Sequence, residues 1–144
     1  MKEKKFSHCL RVRYSEIDGQ RIVFNAHYMT YVDVVSNEYL REVLGSYYAM
    51  LMDIDNGFEI VLVKCEMEFM SPARMDDLLN ISCEIVKLGN SSFVMVFGFR
   101  RDGEETILAR AKMTYVSINL KEGKASPIPP EIRQCFIDYE GLSD

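Results

Sequence analysis

A chain of 144 residues, 48% apolar and 27% charged, has the length and composition of one domain that buries a core without disulfides. Its net charge of −5 argues against a nucleic-acid face, which needs an excess of Lys and Arg to neutralise phosphates. The longest apolar run, Ile60-Val61-Leu62-Val63, is far shorter than the roughly 20 residues of a membrane span.

The chain begins Met1-Lys2-Glu3-Lys4-Lys5-Phe6, with no apolar stretch behind it to act as a signal sequence. Cys9, Cys65, Cys83 and Cys135 show no Cys-x-x-Cys spacing. A cytoplasmic protein with reduced thiols is therefore expected, its cysteines packing as small hydrophobes rather than holding a metal.

The first strand is expected near Phe6 to Tyr14, where Phe6, His8, Leu10, Val12 and Tyr14 share one face at period two. Irregular chain follows from Ser15 to Phe24. A long helix is expected from about Asn25 to Leu44, because Tyr28, Val32, Val35, Tyr39 and Val43 recur at spacings of three and four. Asn25 would cap its start, and Gly45 sits where a left-handed C-terminal residue belongs. A shorter helical piece, Ser46 to Met52, leads to the Asp53-Ile54-Asp55-Asn56-Gly57 turn.

Period two then returns. Alternation predicts strands over Glu59 to Phe69, Leu79 to Ile85, Phe93 to Phe99 and Thr106 to Asn119. Gly89-Asn90 turns the chain, Asp102-Gly103 signals a two-residue hairpin, and Pro127, Pro129 and Pro130 end the sheet. The order is strand, long helix, then four strands in meander. One helix with a single apolar stripe can be buried by wrapping an antiparallel sheet around it, so an α+β fold in one domain is expected. A five-stranded hot-dog arrangement fits this order, which other α+β folds share.

No Walker loop, dinucleotide glycine fingerprint, zinc signature or Ser nucleophile elbow is present. The two histidines, His8 and His27, read as structural or surface residues. The unusual segment runs from Arg11 to Tyr28, where Asp18 lies in a loop ahead of the apolar Ile22-Val23-Phe24. A carboxylate beside an apolar wall, unless donors compensate, is disposed to act as base or nucleophile. The helix start behind it offers free backbone amides and a positive dipole end, able to hold the oxyanion of an attacked thioester carbonyl. On spacing alone, an Asp18 that merely caps a turn is the simpler account.

The segment resembles the 4-hydroxybenzoyl-CoA thioesterase family, more closely its branch of Tol-Pal-associated acyl-CoA thioesterases. Tyr14, Asp18, Val23, Phe24, Asn25, Ala26 and Tyr28 match that pattern, and the likeness continues through Val63 to Leu78, which holds Ser71-Pro72-Ala73 and Asp77, to Pro127-Ile128-Pro129. The resemblance implies hydrolysis of an acyl-CoA with no cofactor. Asp18 would attack the carbonyl or activate water, and the backbone amide of Asn25 would polarise the oxygen. Tyr14, Ile22, Val23, Phe24 and Tyr28 are the expected substrate contacts. It also implies a homodimer or homotetramer with the site at the interface.

Arg21 departs from the family pattern, standing where a glycine is common, and Gly89-Asn90-Ser91 lacks the basic residues that some relatives aim at the nucleotide. Lys64, Lys87, Arg100 and Arg101 are the substitute cations, Lys64 and Arg101 foremost. Tyr47 to Met52 is a candidate lining for the acyl channel. The alternative function is a non-catalytic module binding acyl-CoA or acyl carrier protein. Dehydration of a hydroxyacyl-CoA is disfavoured, since it calls for a histidine base and the position five after Asp18 is Val23.

Overall fold

A computed structural model describes residues 5–51, 53–55 and 57–143. The residues outside this range include the first four of the amino-terminal segment, Met52 of the expected channel lining and Asn56 of the expected turn. One long helix, α1 (His27–Leu44), packs on the inner face of an antiparallel sheet. The sheet is built from β1 (Ser7–Arg11), β2 (Glu59–Phe69), β3 (Leu78–Leu88), β4 (Ser92–Arg101) and β5 (Ala109–Asn119). The expected α+β layering and the five expected strands are present, four of them long and β1 short. A two-residue β6 (Lys124–Ala125) adds to β5. No helix among the described residues is long and apolar enough to cross a membrane.

Periodicity built these elements as expected. On α1 the buried residues are Tyr28, Tyr31, Val32, Val35, Ser36, Tyr39, Leu40 and Leu44, the single stripe that a 3.6-residue repeat creates. Against it stand Leu79, Ile81, Cys83 and Ile85 of β3 and Phe93, Met95, Phe97 and Phe99 of β4, all buried. Edge-to-face ring contacts join Phe6 to Tyr39 at 5.5 Å and Tyr28 to Phe99 at 5.4 Å, a geometry aromatic pairs favour. Gly45 ends the helix with φ of 54°, a backbone region that favours glycine.

Three expectations need correction. Strand order is β1-β3-β4-β5-β2, so only β3 to β5 form a meander. β2 lies beyond β5 and pairs with it antiparallel. The Asp102-Gly103 pair does not make a two-residue hairpin. β4 ends at Arg101, and β5 begins at Ala109 after a longer connection in which Gly103 takes φ of 80°. Finally, two strands are shorter than expected, β1 covering Ser7–Arg11 rather than Phe6 to Tyr14 and β5 starting at Ala109 rather than Thr106. The prolines end the sheet as expected, and a second helix, α2 (Pro130–Glu140), follows them.

Helix α2 has ordinary signals: Pro130 in its first turn, buried Ile132 and Phe136 four apart, and a left-handed Gly141 at its end. Its last residue does specific work. Glu140 accepts from the Tyr39 hydroxyl and from the Ile85 amide, both at 2.7 Å. That amide lies past the end of β1's pairing with β3, so a carboxylate oxygen replaces the missing strand partner.

Candidate active site

Asp18 sits on a small closed loop. The loop opens at Ile17 and closes at Val23, which face each other in an antiparallel bridge. The Asp18 amide donates to the Ile22 carbonyl at 2.9 Å, and the Arg21 amide to the Asp18 carbonyl at 2.9 Å. Oδ1 of Asp18 accepts the Gln20 amide at 2.7 Å, a local turn that Asp side chains form readily. The side chain is half-buried, and among the described residues Oδ2 has no protein donor.

Arg21 completes this turn with φ of 64°, which explains why a glycine suits the position. A left-handed non-glycine residue costs about 1–2 kcal/mol, of which glycine's extra chain entropy returns roughly half. Arg21→Gly should therefore raise unfolding free energy by about 0.5–1 kcal/mol, measurable by urea denaturation. An unchanged or lowered value would show that the Arg21 side chain compensates elsewhere.

The loop rests on the second motif segment. Val23 donates to the Ala73 carbonyl at 2.9 Å, and Ile22 forms an antiparallel bridge with Arg74. The 71–77 segment is itself stitched down. Asp77 accepts the Arg74 amide at 2.8 Å and the Arg101 Nε at 2.9 Å, and Arg101 Nη2 donates to the Pro72 carbonyl at 2.9 Å. The Ala73 amide donates to the Tyr28 hydroxyl at 3.4 Å. Two stretches some fifty residues apart, conspicuous separately in the sequence, thus form one structure.

Glu16, which the sequence reading passed over, lies beneath this loop and is only 3% exposed. It accepts the Arg13 amide at 2.8 Å, Arg13 Nε at 3.0 Å and Nη2 at 2.8 Å, and the Tyr31 hydroxyl at 2.9 Å. Burial pushes its pKa up, but the Arg13 and Tyr31 donors together outweigh burial and hold it below the usual glutamate value. The same contact, with burial as the larger cause, pushes the Tyr31 phenol well up. The available signal was an Arg and a Glu three residues apart in irregular chain.

Helix α1 begins at His27, with Ala26 in the cap position and no side-chain cap. Asn25 is therefore not the cap that its residue type suggested. The first turn is tight instead: His27, Tyr28 and Met29 donate to the carbonyls of Phe24, Asn25 and Ala26. Among the described residues, the amides of Asn25 and Ala26 donate to no protein acceptor. These are the orphan donors that a helix start leaves for a ligand.

A family model for the Thioesterase superfamily matches residues 20–116. The chain belongs to the thioesterase superfamily. A putative esterase of Aquifex aeolicus is 29% identical over 128 residues, spanning 89% of this chain and 94% of its own. The acyl-CoA thioester hydrolase YbgC of Escherichia coli O6:H1 is 28% identical over 123 residues, spanning 85% and 89%. The crystal structure of a 1,4-dihydroxy-2-naphthoyl-CoA thioesterase from Synechocystis superposes with a TM-score of 0.81 at 22% identity, covering 92% of this chain and 96% of that one. This last likeness bears on the fold alone, and the fold shared is the hot-dog arrangement.

Within this thioesterase the expected contact residues separate into two groups. Tyr14 leaves the strand, falls in a 3-10 turn and is 76% exposed, while Phe24 is 49% exposed and Ile22 half-buried. Val23 and Tyr28 are each 2% exposed and belong to the core beneath the loop. Arg101 is drawn inward by Asp77 and Pro72, so the guanidinium braces the 71–77 segment rather than standing free. Lys64 pairs with Glu66 at 3.1 Å in a groove of about 470 Å³ that Lys87 and Lys112 also line. Arg100 lines a neighbouring groove of about 520 Å³. Asp18 lines neither groove.

Of the expected channel residues, Tyr47 is 42% exposed and Met50 half-buried against the core, while the Tyr48 ring carries the Arg41 guanidinium at 4.9 Å. Cys83 is buried, but Cys9 and Cys65 are exposed, so only part of the cysteine set packs as core. His27 packs edge-on against Phe24 at 6.2 Å.

Proposed function

We propose that this thioester hydrolase cleaves acyl-CoA to a free acid and CoA, with Asp18 as base or nucleophile and the start of α1 as the oxyanion site. One observation carries the reading. A half-buried carboxylate with an uncommitted Oδ2 sits in a loop pinned shut by the Phe24 amide on the Glu16 carbonyl at 2.9 Å, and the unpaired amides of Asn25 and Ala26 follow directly on that closure. In the base route Asp18 takes a proton from water as its oxygen joins the carbonyl carbon. The C–S bond then breaks, and the thiolate takes up the proton. In the nucleophile route the carboxylate attacks the carbonyl carbon, and the C–S bond breaks to release CoA thiolate and leave an acyl anhydride on Asp18. Water then opens the anhydride to the free acid and the Asp18 carboxylate, the thiolate taking up the proton released. Both routes place negative charge on the former carbonyl oxygen, where the Asn25 amide and the positive end of α1 would stabilise it.

The motif likeness supports placing the chain in the Tol-Pal-associated branch of the 4-hydroxybenzoyl-CoA thioesterase family, and the YbgC relative supports a CoA ester as substrate. An acyl group on carrier protein is the other form of the same thioester. Thiol release from short, long and aromatic acyl-CoAs tests the reading. Turnover of none of them would end it.

The acting unit in this reading is a homodimer. On β2, the residues Ile60, Leu62, Cys65, Met67 and Phe69 pair with inward-facing residues of β5, yet Leu62 is 40% and Phe69 49% exposed. Among the described residues, no strand lies beside the far edge of β2. An apolar stripe on an open edge is a surface that a second copy would cover by strand pairing. Tyr14, Phe24, Met70 and Met75, all at least 47% exposed, would then form the walls of a cleft between copies. Leu62→Glu places charge in that stripe and should convert the dimer to monomer with loss of activity. Sedimentation velocity checks it, and a wild-type chain that sediments as a monomer while turning over substrate would remove the dimer.

A further inference from the structure

We propose that Glu16 is a positioning residue for this reaction, fixing the Asp18 loop against the first turns of α1 so that carboxylate and oxyanion site keep their separation. The inference rests on the thioesterase reading of Asp18 and adds to it a residue that touches neither substrate nor reacting atoms.

Glu16 is a buried carboxylate, and a buried charge is costly unless its partners are in place. Four donors occupy its two oxygens, so it has no lone pair in a good direction left for a substrate. Its location gives it a different task. Its backbone carbonyl receives the Phe24 amide, which closes the loop, and the next residue, Ile17, opens the bridge to Val23. Among the described residues, the hydrogen bonds of Asp18 itself stay within its own turn, through the Gln20, Arg21 and Ile22 contacts. That turn is held at its base by Glu16 and Ile17 and from the side by residues 71–77, through the Ile22–Arg74 bridge and the Val23 amide on the Ala73 carbonyl. Tyr31 stands one helical turn beyond His27, and its hydroxyl on Glu16 links that base to the helix by a side chain. Loosening this link leaves the acid and the amides present but lets their spacing vary. Misplacement by about 1 Å costs on the order of a hundredfold in rate.

Glu16→Gln is the informative change. An amide nitrogen cannot accept, so whichever way Gln turns, either the Arg13 guanidinium or the Arg13 amide and Tyr31 hydroxyl lose their acceptor. With the acyl-CoA turned over best, kcat of Glu16→Gln should fall about tenfold to a hundredfold with KM near wild type. Tyr31→Phe removes one donor and should lower kcat several-fold, again with little change in KM. Single-turnover rates at high enzyme concentration extend the comparison to an Asp18→Asn background. There neither substitution should reduce the rate further, because the group they position is gone.

Wild-type kcat in both variants would overturn the proposal, as would a loss that appears in KM or is carried undiminished into Asp18→Asn. Should Glu16→Gln lack native circular dichroism, Tyr31→Phe alone and combined with Asp18→Asn decides by the same criteria. A wild type that hydrolyses no acyl-CoA, or keeps its rate as Asp18→Asn, overturns the site reading and this inference together. Activity that depends on Asp18 while the Glu16 and Tyr31 variants keep kcat overturns the inference alone.

Discussion

Asp18→Asn is expected to lower kcat by about a hundredfold or more, the usual loss when a general base is removed, with the fold intact. The substitution keeps an acceptor at Oδ1, so the 2.7 Å bond from the Gln20 amide and the turn around it survive. What disappears is the capacity to take a proton or attack a carbonyl, because an amide is neither a useful base nor a nucleophile at neutral pH. KM should stay within a few-fold of wild type, since Asp18 acts on charge that develops only in the transition state. Thermal melting run beside the assay should show little change. A kcat within tenfold of wild type in correctly folded Asp18→Asn would remove the carboxylate from the mechanism.

Arg101→Ala should act on stability first. Arg101 and Asp77 keep 27% and 19% of their side chains exposed, with Nε and Oδ2 at 2.9 Å, so solvent weakens this pair less than one on the open surface. Deleting the guanidinium leaves Asp77 without its charged donor and the Pro72 carbonyl without its partner. Hydrogen bonds to charged groups are worth about 1.5–3 kcal/mol each, and a pair that keeps some contact with solvent falls toward the lower end, so a loss of about 2 kcal/mol is expected. For a chain of this size that is a drop of roughly 4–8 °C in Tm. The 71–77 segment carries the Ala73 carbonyl that holds Val23, so activity should fall along with Tm. A phosphate-binding arginine would behave differently, raising KM for acyl-CoA with Tm unchanged. That second pattern would restore Arg101 to the substrate contacts and withdraw the bracing role argued from its bonds to Asp77 and Pro72.

The conspicuous sequence motifs had unequal fates for an identifiable reason. Asp18 and the Ser71-Pro72-Ala73 to Asp77 segment were both legible as unusual. That they touch through Val23 and Ala73 and through Ile22 and Arg74 depends on strand order, which local pattern does not encode. Arg101 and Lys64 looked alike as substitute cations for the nucleotide. Only packing separates them, since one faces Asp77 and Pro72 and the other the outer face with Glu66 and Lys87. Asn25 has a good capping residue type, yet the tight first turn puts Ala26 in that place.

By itself the sequence determined the type of nearly every element. A 3.6-residue stripe makes α1, and period two makes β2 to β5, because each pattern puts apolar side chains on one side of one backbone geometry. It also marked the carboxylate loop and the helix start behind it. Tertiary structure alone decided that β2 pairs with β5 and not with β3, that Glu16 is sealed beneath the loop by Arg13 and Tyr31, and that α2 closes the end of the sheet through Glu140. These are relations between residues distant in sequence, or choices of which charge leaves water. Their free energies arise from burial and hydrogen bonds that exist only once the whole chain has packed.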